Sequence, residues 1–139
     1  MNNIATLVMS AALLAVGTAN VAWADATDDA NARELAKALQ EHMVSTYSCQ
    51  KFLGGLAHYR AAKTLAVETY SRVTGNRNQA VLTIDGIEQK IKASKFDKQM
   101  EAQFKEMKLS EIDSMGTCQD LIAESLDKVE VLQAKLHLL

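Results

Sequence analysis

The sequence predicts an all-α fold, a small bundle of four to five helices with one intramolecular disulfide. Three observations predict it. Apolar residues recur at helical spacing almost throughout the chain after residue 25. None of the 139 residues is a proline that would interrupt those runs. Two cysteines, Cys49 and Cys118, follow what reads as an export signal.

That signal is the first element. From Ile4 to Ala24 there is no charged side chain, and the apolar centre runs from Leu7 to Val16. Ala22-Trp23-Ala24 has the small-x-small form of a cleavage site, and the chain turns polar at Asp25. A retained membrane anchor is the competing reading, since about 20 apolar residues span a bilayer. The cleavage-site pattern favours removal after Ala24, with no stable membrane insertion afterwards. The expected organisation is a signal peptide over residues 1–24 and a single helical domain over residues 25–139. The expected location is the periplasm.

Export decides how the cysteines are read. Oxidising compartments and an even count point to a structural pair, Cys49 with Cys118. Such a bridge closes a loop of about 70 residues, worth roughly 4 kcal/mol by chain entropy. Two free thiols, or a bridge between chains, are the alternatives.

The helices follow in order. Leu35, Leu39 and Met43 at four-residue spacing predict a first helix over Asp28–Ser45. Ser48 is placed to cap a second, whose stripe is Phe52, Leu56, Tyr59, Ala62, Ala66, Tyr70 and Val73. Gly75 suits the left-handed position that ends it. Gly54-Gly55 weakens this helix and marks either a close crossing or a local break. Residues 76–86, with the short β-branched run "AVLTI", form the least helical part. Asp85, with Glu88 three residues on, predicts the start of a third helix with Ile87 and Ile91 inward, ending near Ser94. Ser94 with Asp97 opens a fourth, lined by Met100, Phe104 and Met107. Ser110 with Asp113 opens the last, whose apolar stripe is Ile112, Met115, Gln119, Ile122, Leu126, Val129 and Leu136.

Chemistry is sparse. His42, His58 and His137 form no H-x-x-H or H-E-x-x-H pattern, and neither cysteine belongs to a C-x-x-C. That argues against zinc, thioredoxin-type redox chemistry and covalent haem. Cys49 and His58 lie nine residues apart, about 13 Å along one helix, too far for a nucleophile and its base. No phosphate-binding glycine loop and no G-x-S-x-G occur. The expectation is therefore no catalytic residue, no metal and no cofactor. Fifteen basic and 17 acidic residues, net −2, give no reason to expect a nucleic-acid partner. Function falls to apolar surface. The candidates are Phe52 and Leu53 beside the first cysteine, Val81, Leu82, Ile84 and Ile87 in "AVLTIDGI", and Leu136, Leu138 and Leu139 at the C-terminus.

"SCQKFL", Ser48 to Leu53, and "AVLTIDGI", Ala80 to Ile87, resemble two landmarks of the HdeA/HdeB family of periplasmic acid-stress chaperones, at close to the family's spacing. The family's second cysteine stands near where Lys95 to Lys98 lie here, whereas this chain has Cys118. The resemblance implies a small helical homodimer that loosens in acid and binds unfolding protein clients. "TCQDLIAESLD", Thr117 to Asp127, is similar to the last helix of immunity proteins against type VI secreted peptidoglycan amidases, which implies one folded enzyme as partner. A third reading is an accessory protein of an envelope assembly. In all three the two cysteines are structural and the working part is a protein-binding surface.

Overall fold

A computed structural model describes residues 30–138. Five helices run in order: α1 (Ala30–Ser48), α2 (Ala57–Thr74), α3 (Arg77–Ala93), α4 (Phe96–Glu106) and α5 (Glu111–Lys135). Among the described residues there is no strand. No helix among them is long and apolar enough to cross a membrane. The signal-peptide expectation for residues 1–24 and the candidate Leu139 lie outside the described residues.

α1 is the central helix and packs against each of the other four. The reason is legible in its composition. Ala32, Leu35, Ala36, Ala38, Leu39, Met43 and Val44 leave only a narrow exposed polar strip, Arg33, Glu34 and Lys37, and a helix apolar on most sides has to be covered on most sides. The second half of α1 is buried almost residue by residue, down to Ser45, Thr46 and Ser48.

Side-chain pairs fix the directions of the neighbours. Tyr59 meets Glu88 and Lys63 meets Asp85, so α2 and α3 form an antiparallel hairpin. His42 meets Ser125 and Glu41 meets Lys128, so α5 runs antiparallel to α1. Thr69 bonds Gln133 and Arg72 reaches the Leu138 carbonyl, which sets α5 parallel to α2. The main core gathers Leu35, Leu39, Met43, Tyr70, Ile84, Ile87, Ile91 and Phe96 with Val129. A smaller core surrounds the disulfide with Met100 and Phe104.

Several expected boundaries move. α1 continues through Ser48, so Ser48 closes one helix instead of opening the next. Residues 49–56 are turns that end at Gly54 and Gly55, with φ of +78° and +127°. A side chain at either would meet nothing within 4 Å, so the requirement for glycine is torsional and not steric. "AVLTI" lies inside α3. Asn76 caps that helix, its Oδ1 accepting from the Gln79 N–H at 3.0 Å, and Ala80, Ile84, Ile87 and Ile91 form its buried stripe. Tertiary burial of that stripe outweighs the weak helix propensity of the β-branched residues. Asp85 is accordingly no cap. Ser94 ends α3, its hydroxyl donating to the Lys90 carbonyl, and Lys95 takes the left-handed conformation before α4 begins.

Other expectations hold. Gly75, with φ of +70°, ends α2, and its N–H reaches the Ser71 carbonyl. Met100 and Phe104 face inward from α4. Ser110 caps α5, its Oγ accepting from the Asp113 N–H at 3.1 Å. The buried face of α5 is nonetheless rotated from the expected stripe. Ser114, Cys118, Ser125, Val129 and Gln133 point inward, while Ile112 and Met115 stand 79% and 41% exposed. Cys118 must face Cys49, and that bond sets the phase of the whole helix.

Candidate functional site

Cys49 and Cys118 are bonded to each other, with Cα atoms 5.7 Å apart, and both are fully buried. α1 delivers Cys49 at its C-terminal end and α5 delivers Cys118 from its second turn, so the bridge pins one end of the α1–α5 pair. Phe52, Leu53, Leu109, Leu121 and Ile122 pack around it. Phe52 and Phe104 stack at 5.0 Å between centroids. Beside them opens a groove of about 640 Å³, with Phe52, Phe104, Leu109 and Met115 in its walls and Lys51, Lys105, Glu101 and Glu111 also lining it.

The α1–α5 seam holds a strongly perturbed histidine, His42. His42 is 6% exposed, and its Nδ1 lies 2.7 Å from Ser125 Oγ. Burial pushes its pKa down to about 4, and His58 on α2 pushes in the same direction. The ring is therefore neutral in the folded protein at neutral pH. Ser125 Oγ also reaches the Ile122 carbonyl at 3.1 Å, so the hydroxyl is held in place from its own helix. Farther along the seam, Gln133 Nε2 donates to Thr69 Oγ1 at 3.0 Å inside the core. Lys128 pairs with Glu41 at 3.4 Å on the surface.

A second network joins α2 to α3. The Tyr59 hydroxyl donates to Glu88 Oε2 at 2.8 Å, and Lys63 Nζ contacts both Glu88 and Asp85. Burial alone would raise the Glu88 carboxyl. The bonds from Tyr59 and Lys63 and the charges of Lys63 and Lys92 outweigh it and hold the group below its ordinary range. Burial, followed by the bond to Glu88, raises the Tyr59 phenol. The bond to Asp85 is the main reason Lys63 is raised. These partners tie the hairpin together and touch no cavity wall of the groove.

The sequence candidates separate into three groups. Val81 and Leu82 are 38% and 73% exposed on the outer face of α3. Ile84 and Ile87 belong to the core and offer nothing to a partner while the protein stays folded. Phe52, Leu53, Leu136 and Leu138 are half-buried, the first two against the disulfide and the last two against the main core. Sequence reasoning passed over His42, Ser125 and Gln133. The signal for His42 was present, since Leu35, Leu39 and His42 follow helical i, i+4, i+7 spacing and put the ring on the apolar face. Among the described residues, no group of three or more His, Cys, Asp or Glu side chains is placed to hold a metal ion. No family model, curated protein or solved structure matches the chain.

Proposed function

We propose that the chain is an exported, non-enzymatic chaperone of the HdeA/HdeB kind, which loosens in acid and binds unfolding periplasmic proteins. The observation that carries this reading is His42, a buried neutral histidine on the seam between the first and last helices. A group in that position takes up a proton far more readily in the open chain than in the closed one, so acid drives opening. The disulfide lies outside that chemistry and keeps the opened chain from separating fully. Val81 and Leu82, in the segment that resembles the family, add a small apolar surface already exposed at neutral pH.

The test uses the oxidised protein and an aggregation-prone client at pH 7 and at about pH 3, below the pKa of about 4 to which burial pushes His42. Light scattering follows the client, and near-UV circular dichroism follows the protein's own packing. The expected result is suppression of aggregation only in acid, together with loss of the tertiary signal. A protein that stays packed in acid and protects nothing refutes the reading.

A second reading is favoured by the groove. Ile112, 79% exposed, follows the groove-lining Glu111 in the first turn of α5, and an exposed apolar side chain near a cleft of mixed apolar and charged walls suits one folded partner. That supports an immunity protein against a secreted peptidoglycan amidase. Capture of one folded envelope enzyme at pH 7, abolished by Ile112→Glu, would favour it over the chaperone.

A further inference from the structure

α5 has two faces that can pack, and the core takes the more polar one. Ser114, Cys118, Ser125, Val129 and Gln133 point inward. The bond between Cys118 and Cys49 fixes that phase. Beside this face, Ile112, Met115, Gln119, Ile122 and Leu126 follow one another at alternating steps of three and four residues. That is the spacing by which one helix packs along another. The seam has no full cover in the folded chain. Ile112 and Met115 are 79% and 41% exposed, Gln119 is exposed, and Ile122 and Leu126 are half-buried. Of the five large apolar side chains exposed among the described residues, α5 carries three, Ile112, Met115 and Val131.

Charge sets what can lie there. α5 holds six acidic residues, Glu111, Asp113, Asp120, Glu124, Asp127 and Glu130, against Lys128 and Lys135, a net −4. The chain as a whole carries −2, so the remainder sums to +2. All six acids are exposed, and among the described residues none of them forms an ion pair. Lys128, within a turn of Glu124 and Asp127, reaches instead to Glu41 on α1. Asp120, Glu124, Asp127 and Glu130 thus follow one another at three- and four-residue spacing without compensation, an arrangement that destabilises a helix. Asp113, Asp120 and Asp127 repeat every seven residues and form a line along one edge of the seam, about 10 Å apart.

The geometry points to a docking surface on the outer side of α5 for an amphipathic helix of another protein, whose apolar stripe lies along Ile112, Met115, Ile122 and Leu126 and whose lysine or arginine edge meets Asp113, Asp120 and Asp127. The surface sets two features of that partner. Its apolar stripe has to continue over about four turns, because the seam from Ile112 to Leu126 is roughly 21 Å long. Its flank has to be cationic, since an acidic helix would add to the repulsion along α5 and a neutral one would leave it in place. The surface belongs to the folded protein at neutral pH and is independent of His42; it shares Ile112 with the immunity reading but requires no amidase.

Fluorescence anisotropy with the oxidised protein at pH 7 and low salt tests it. The probe is a labelled peptide of about 18 residues, roughly 27 Å as a helix, with leucine at the seam positions and lysine along one edge. Two controls carry glutamate in place of lysine, or the same leucines and lysines shuffled out of helical period. The periodic leucine–lysine peptide should bind, and both controls should bind at least tenfold more weakly. Ile112→Ser combined with Met115→Ser should weaken binding about tenfold. Asp120→Asn combined with Asp127→Asn should weaken it roughly fivefold. Glu68→Lys, an exposed site on α2 that changes the net charge by the same two, should leave it within about twofold. These side chains are in water, so the variants should keep the wild-type near-UV circular dichroism, and the peptide should leave that signal unchanged. Absence of binding, equal binding of either control, a Glu68→Lys loss equal to that of the Asp120 and Asp127 pair, or a tertiary signal lost on adding the peptide each overturns the proposal. Client protection in acid is read separately, so the chaperone can fail while this surface stands, and the reverse.

Discussion

His42 provides the sharpest quantitative expectation. Its ring titrates near 6.5 when exposed and near 4 in the folded protein. At pH 7 and above both states are neutral, and the group contributes nothing to the pH dependence. As pH falls below 6.5 the unfolded chain binds a proton that the folded chain refuses, so stability declines. Below about 4 both forms are protonated and the decline stops. A shift from 6.5 to about 4 corresponds to about 3 kcal/mol at 1.36 kcal/mol per pKa unit. That is a large part of the 5–15 kcal/mol typical of a domain. Urea unfolding followed by far-UV circular dichroism at pH 7, 6, 5 and 4.5 measures it. The wild type should lose most of this amount over that range. His42→Asn, which keeps a polar atom for Ser125, should be about 1 kcal/mol less stable at pH 7 yet almost flat down to pH 5. A variant with the wild-type slope over pH 7–5 would refute the reasoning, as would a His42 resonance that titrates near 6.5.

Other expectations concern different contacts. Replacing both Cys49 and Cys118 with Ala should cost about 4 kcal/mol in urea unfolding, since the bridge spans a sequence separation of 69; a loss below 1 kcal/mol would mean the unfolded chain is already compact. Glu88→Gln should lower stability at pH 7 by about 1–2 kcal/mol through its bonds to Tyr59 and Lys63. It should also flatten the pH dependence below the ordinary carboxylate pKa. A folded-state pKa held low contributes stability above the unfolded value that is lost as pH falls through the folded one. Gly55→Ala, at φ +127°, should destabilise by about 1–3 kcal/mol, whereas Gly86→Ala, inside α3 with open space around it, should be neutral or slightly stabilising in the same thermal melts. Ile112→Ser should change the melting temperature little, because the side chain is already in water.

Much of the fold is readable along the chain. Leu35, Leu39 and Met43 announce α1, Tyr59 to Tyr70 announce α2, and Gly75 and Ser110 mark an end and a beginning by local hydrogen bonding alone. These features depend on residues within one or two turns of each other, where periodicity and capping act directly. The misplaced elements share one cause. Residues 76–86 look unhelical when judged by β-branching, and become helical because Ala80 and Ile84 are buried against the rest of the bundle. The α5 stripe looks apolar at Ile112 and Met115, yet the helix turns Ser114 and Ser125 inward.

The site was legible in part. The pairing of Cys49 with Cys118 was expected from an even count and an expected export signal, and the structure bonds them to each other. The roles of Ser125, Gln133 and Glu88 could not be read that way, because their partners lie 83, 64 and 29 residues distant. Sequence alone thus determined the helical class, most helix ends and the chemistry available, since each depends on near neighbours and residue type. Only the tertiary structure decided which face of α5 points inward, that His42 is buried against a hydroxyl, and that Val81 and Leu82 stay in water while Ile84 and Ile87 do not. Those outcomes depend on which surfaces meet across the bundle, and the contacts that decide it are non-local.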